Sequence, residues 1–146
     1  MSQPTVLIVE DNQDDFFLLE RAFKKAEIAT HIRWVKDGIE AKAYLSDNSP
    51  AARSENPLPL VILADIKMPR MDGFELLTWV RTQSPLRRIP YILLTSSSQV
   101  LDINKAYDLG ANSYLVKPGN FEQLMHLSKS LKQYWLMLNQ SPDFPG

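Results

Sequence analysis

A doubly wound α/β fold built on a parallel sheet is the fold class this sequence predicts. Three observations carry the prediction. Short, unbroken apolar runs recur along the chain, as expected of strands covered on both faces. Segments with helical spacing of apolar residues separate those runs. Ten prolines and several Asp-Gly or Gly-containing turns punctuate the alternation. Strands that alternate with helices select a parallel sheet joined by right-handed crossovers.

The elements follow in order. Thr5–Glu10 is a β-branched run long enough only for a buried strand. Asp14–Ala26 reads as a helix with Phe17, Leu18, Ala22 and Ala26 on its apolar face, and the acids before it offer an N-cap. His31–Val35 is the second strand, and Ile39–Leu45, after Gly38, is helical. The Ser-, Asn- and Pro-rich stretch 46–59 is expected to be a long loop. Leu60–Ala64 is an apolar strand, followed by the turn residues Met68-Pro69 and Asp72-Gly73 and by a helix over Phe74–Thr82. Ile89–Leu94 is the fourth strand. Leu101–Leu109 is a helix stopped by Gly110, a C′ glycine. Ser113–Val116 is the fifth strand, Phe121–Leu138 a long last helix, and 139–146 a polar tail. The count is five strands and five helices.

Composition excludes several functions. A chain of 146 residues holds about one domain, so 1–146 is expected to be a single domain with its core at 5–138. A net charge of −1 is no electrostatic footprint for nucleic acid or an anionic membrane. With no cysteine there is no disulfide framework, thiolate metal site or cysteine nucleophile. The start, Met1-Ser2-Gln3-Pro4, has no basic or apolar leader, and no apolar run approaches the roughly 18 residues of a membrane span. A cytoplasmic setting is expected.

In an open parallel sheet, functional groups collect beyond the carboxyl ends of the strands. Those ends carry Glu10-Asp11, Asp65, Thr95-Ser96 and Lys117-Pro118. Singly, each has an ordinary explanation: Asp11 as a helix cap, Asp65 as the opening of a turn, Thr95 as a strand end, Lys117 as a solvated lysine. Together they place three carboxylates, a hydroxyl and an ammonium at one edge. Clustered carboxylates repel unless something offsets them, and a hard cation such as magnesium (Mg2+) suits them.

In order, Glu10-Asp11, Asp65-Ile66-Lys67-Met68-Pro69-Arg70-Met71-Asp72-Gly73, Leu94-Thr95-Ser96, Gly110-Ala111 and Tyr114-Leu115-Val116-Lys117-Pro118 resemble the receiver domain of two-component response regulators. The resemblance spans about residues 5–138. The 46–59 stretch, Arg87-Arg88-Ile89-Pro90 and Tyr134-Trp135-Leu136 are similar to the stand-alone regulators that serve bacterial phytochromes. The resemblance implies a flavodoxin-like sheet of order 2-1-3-4-5 with helices on both faces. It implies that Asp65 accepts a phosphoryl group from a sensor histidine kinase or phosphotransfer protein. It implies that magnesium is held by Asp11 and Asp65, by Glu10 through water and by the backbone carbonyl of Lys67. Thr95 and Lys117 would bind phosphoryl oxygens, Thr95 and Tyr114 would act as the switch pair, and Lys117–Pro118 would be a cis peptide. Output would leave through the fourth helix, fifth strand and fifth helix of that fold, toward a downstream protein or a second copy in a homodimer.

Such a protein is a switch rather than an enzyme. A haloacid-dehalogenase-like phosphatase would need a second Asp two residues after its nucleophile, where this chain has Lys67. A flavodoxin-like cofactor binder would need a Gly-rich phosphate loop, and the first turn here is acidic. A degenerate receiver working as a phosphorylation-independent adaptor is the alternative within the family. Elsewhere the expectations are bland. His31 and His126 lack ligand partners at metal spacing, and Trp34 and Trp79 are packing residues. Leu124, Leu127, Leu131, Trp135 and Leu138 form the core stripe of the last helix. Apolar residues around that stripe point to a partner or self-association surface.

Overall fold

The computed structural model describes residues 4–142. Its elements are β1 (Thr5–Val9), α1 (Gln13–Lys25), β2 (His31–Val35), α2 (Gly38–Ser46), α3 (Pro50–Glu55), β3 (Val61–Ala64), α4 (Gly73–Thr82), β4 (Tyr91–Thr95), α5 (Val100–Asp108), β5 (Ser113–Val116) and α6 (Phe121–Leu131). A 3-10 turn at Leu86–Arg88 precedes β4, and α6 runs on as a π-helical segment, Lys132–Leu138. The strands form one sheet of order β2-β1-β3-β4-β5, and every pairing is parallel. This is the expected doubly wound topology.

Alternation along the strands sends side chains to two cores. Leu7, Val9, Ile62, Ala64, Tyr91 and Leu93 pack beneath α2, α4 and α5. Val6, Ile8, Val61, Leu63, Ile92 and Leu94 pack beneath α1 and α6. β1, β3 and β4 are buried throughout, which explains their unbroken apolar sequences. The sequence of strands reverses direction between β1 and β3, so the carboxyl ends of those strands open a crevice where ligands bind in such sheets.

Five expectations need correction. The 46–59 stretch is not a plain loop, because Pro50–Glu55 forms a helix and brings the α-helix count among the described residues to six. Ser49 caps it through its side chain and Pro50 starts it. Arg53 then donates to the carbonyls of Tyr44, Leu45 and Asn56, which pins the insert to the end of α2. On α1 the buried face is Phe16, Leu19, Ala22 and Phe23, whereas Phe17 and Leu18 are exposed. Four successive apolar residues, 16 to 19, leave the helical phase open; the stack of Phe16 on Trp34, 4.2 Å between centroids, sets it. The cap of α1 is Asn12, not an acid: its side chain accepts from the Asp15 N–H. The last helix loses its stripe at the end. Leu131 is buried and Trp135 half-buried, but the wider π winding rotates Leu138 outward, 64% exposed. Finally, the cis peptide among the described residues is Ser84–Pro85, so Lys117–Pro118 is trans.

Other details follow the sequence. Gly110 adopts φ +103°, and its successor donates to Ala106, closing α5 as expected. His31 and His126 are exposed, and Trp34 and Trp79 are half-buried packing residues. Part of the 139–146 tail lies outside the described residues.

Candidate functional site

The site grows from four strand ends. β1 stops at Val9 and the ladder carries Glu10, whose N–H donates to Val35, into a buried position. The indole N–H of Trp34 donates to the Glu10 carbonyl at 2.8 Å and fixes that turn. Asp11 follows, exposed. Asp65 extends β3, its N–H donating to Val9 at 3.0 Å, so its carboxylate stands beside those of β1. Oxygen atoms of Glu10, Asp11 and Asp65 lie within 4.8 Å of one another.

The turn after Asp65 explains the Asp-Gly pair. Asp72 caps α4 in a capping box with Glu75. Gly73 then sits so close to Asp65 that any side chain would run into the Asp65 carbonyl. Its N–H donates to Ile66 at 2.8 Å, and its carbonyl accepts from the buried Tyr91 hydroxyl at 2.8 Å. Helix α4 is thereby butted against the back of Asp65.

Lys117 closes the cluster from β5. Its N–H donates to Thr95, which seats it at the end of the β4–β5 ladder. Its Nζ donates to Glu10 Oε1 at 2.6 Å, Asp15 Oδ2 at 2.8 Å and Asp65 Oδ2 at 2.8 Å. Burial disfavours the charge on Lys117, but the three carboxylates outweigh it and push its pKa up. Glu10 moves the other way from an ordinary carboxylate. Burial raises its pKa from 4.5 to about 7, against the pull of Lys117. One ammonium shared by three carboxylates leaves the cluster short of positive charge. An all-oxygen donor set of this kind fits a hard divalent cation such as Mg2+ or Mn2+.

On its other side Asp65 faces an open cleft of about 590 Å³, lined by Ile66, Lys67, Thr95, Ser96 and Asp102 among others. Thr95 is buried at its base and Lys67 is exposed at its rim. Tyr114 packs half-buried against the α4–α5 core, and its hydroxyl donates to the Ser97 carbonyl at 2.9 Å. The Ser97 hydroxyl donates in turn to Asp102 at 2.6 Å. Glu10, Asp11, Asp65, Lys67, Thr95 and Lys117 are thus brought to one edge, with Tyr114 one loop away.

A scan against family models matches residues 6–129 to the response regulator receiver domain. The chain belongs to that family. Among curated relatives, the receiver is 39% identical to the probable methanogenesis regulatory protein FilR2 of Methanothrix harundinacea, over 94% of this chain and 86% of that one. Among solved structures it is similar to the phosphorylated cyanobacterial phytochrome response regulator RcpA, at TM-score 0.87 and 32% identity, covering 97% and 100% of the two chains. It is also similar to the Mn2+-bound form of response regulator Rcp1, which is known from Synechocystis. There the TM-score is 0.83 and the identity 30%, over 96% of this receiver and 99% of that chain. Receivers of this kind are signalling switches.

Two site features were not legible beforehand. Asp15 is a third carboxylate on Lys117; the acidic run Asp11, Asp14 and Asp15 marks it as an addition to the local negative field but not as a partner of Lys117. The Trp34 indole reaches Glu10 from a neighbouring strand, and no local pattern announces it.

Proposed function

We propose that this receiver takes a phosphoryl group on Asp65 from a sensor histidine kinase or phosphotransfer protein, with magnesium bound, and passes the signal on through a protein surface. The observation that carries the reading is the Glu10–Asp11–Asp65 cluster with Lys117 reaching into it, while Asp65 on its other side lines a cleft that Thr95 also lines. The Mn2+-bound Rcp1 and the phosphorylated RcpA support it. Asp11 and Asp65 would ligate the ion directly, Glu10 through water and Lys67 through its backbone carbonyl. Bound there, magnesium would supply neutralisation of the phosphoryl oxygens, which this transfer needs more than covalent help.

A carboxylate oxygen of Asp65 forms the new P–O bond as the donor's P–N bond breaks, and the electron pair returns to the histidine ring. Lys117 exchanges its bond to Asp65 for one to a phosphoryl oxygen. Thr95 donates its hydroxyl to another and shifts toward it. That movement opens space for Tyr114, whose ring leaves the Ser97 carbonyl and turns inward. The added charge therefore biases a two-state element, the α5–β5–α6 face. Val100, Leu101 and Tyr107 of α5 and Val116 of β5 are exposed apolar residues, as suits a surface for a downstream protein or a second copy. As one receiver unit, residues 1–146 would act in the cytoplasm, and among the described residues no helix is long and apolar enough to cross a membrane. No required group is missing, so the adaptor alternative gains no support.

A phosphotransfer profile tests the donor. The receiver is offered to radiolabelled histidine kinases of its host, and rapid transfer from one or a few is expected. Transfer that persists in Asp65→Asn, or in excess chelator, contradicts the reading.

A further inference from the structure

We infer that Arg70 and Asp37 form a positioning pair that sets the metal-binding end of the loop between β3 and α4, without touching the ion or the phosphoryl group. The inference rests on the metal reading above. The loop runs from Ile66 to Asp72, from Asp65 to the start of α4. Its two ends are tied together by the Gly73 N–H on Ile66. Its middle reaches away from the sheet and is held by α2.

Two contacts make that hold. The Gly38 N–H donates to the Met71 carbonyl at 2.9 Å. Arg70 donates through Nε at 2.9 Å to Oδ2 of Asp37, and Nη2 lies 2.7 Å from the same oxygen. Asp37 is buried, and its Oδ1 is already committed to capping α2 through the Glu40 N–H. The carboxylate is therefore a fixed anchor rather than a mobile surface charge.

Arg70 itself sits at φ +66°, a left-handed conformation that a side chain resists. Such a residue persists where its surroundings over-determine it, and such positions cluster at functional sites. Glycine would adopt this conformation without resistance. An arginine here gains the paired contacts to Asp37 and a looser ion pair to Glu40, 3.9 Å away. What the contacts to Asp37 hold in place is the backbone three residues after Lys67, whose carbonyl is the neutral oxygen of the proposed ligand set. Outer partners that orient a ligand usually matter about tenfold or more in metal affinity.

The test titrates Mg2+ into the full chain by calorimetry and measures urea stability beside it. Arg70→Gly relieves the left-handed strain and removes the guanidinium; Asp37→Asn keeps the capping oxygen and removes the charge. Each is expected to bind Mg2+ about tenfold more weakly, with Arg70→Gly as stable as the parent or more so. The double variant is expected to be no weaker than either single one. Parent-like affinity in both variants overturns the inference, as does a loss of affinity that only follows a loss of stability. A parent chain that binds no Mg2+ overturns the metal reading, and this inference with it.

Discussion

Lys117→Met replaces the cation that Glu10, Asp15 and Asp65 share with an apolar chain of similar length. The side chains of Glu10 and Asp65 are only 7% and 13% exposed, whereas that of Asp15 is 40% exposed and rehydrates easily. Removing one partner of a buried ion pair costs about 3–5 kcal/mol. Water at Asp15 trims this, and about 3 kcal/mol is expected at pH 8. The loss should shrink in acid. The folded pKa of Glu10, about 7, lies above its ordinary 4.5, so its contribution favours the fold below pH 4.5 and is lost as pH rises through 7. Lys117 moderates that loss by drawing Glu10 down; without it the folded pKa climbs further and the decline from pH 5 to 8 steepens. Lys117 stays charged throughout this window, because its own pKa is raised. Urea denaturation at pH 5.5 and pH 8, with and without Mg2+, measures the effect. The variant should trail the parent by about 1 kcal/mol at pH 5.5 and about 3 at pH 8, with saturating Mg2+ closing most of the gap. An equal gap at both pH values, or none, would refute the idea that Lys117 serves as the internal counter-ion.

Three other outcomes follow from the geometry. Gly73→Ala should destabilise the receiver by about 3 kcal/mol, seen as a lowered urea midpoint, because the new methyl group meets the Asp65 carbonyl. Arg53→Ala should release α3 from the end of α2 at a cost of about 1–2 kcal/mol, with faster amide exchange at 50–56 and unchanged phosphorylation of Asp65. Leu101→Ser, at a side chain 80% exposed on α5, should leave stability within about 0.5 kcal/mol yet weaken capture of the downstream partner by the phosphorylated chain.

Most of the fold could be read from residues alone, for a physical reason. Buried parallel strands need unbroken apolar runs, and TVLIV, VILA and YILLT have no other comfortable place in a chain of this size. The strand-end residues were legible because the topology puts every such end on one edge. What escaped depends on contacts between distant segments or on weak local signals. The phase of α1 was undetermined by four successive apolar residues, until Trp34 from β2 chose Phe16. Helix α3 is too short and polar to show periodicity; its bonds from Arg53 to α2 make it stable. The grip of Asp15 on Lys117 spans 102 residues, and that of Asp37 on Arg70 spans 33. The exposure of Leu138 follows from a π winding that apolar spacing does not encode.

The central claim is that Asp65 is a magnesium-dependent phosphoacceptor. The most direct measurement incubates the chain with a small-molecule phosphodonor, with Mg2+ or with excess chelator, and maps the adduct by mass spectrometry after trapping the acyl phosphate with borohydride. The account predicts one phosphoryl group per chain, located on Asp65, formed only with Mg2+ and absent from Asp65→Asn. Stoichiometric labelling that survives in Asp65→Asn, or that proceeds equally well in chelator, would contradict it.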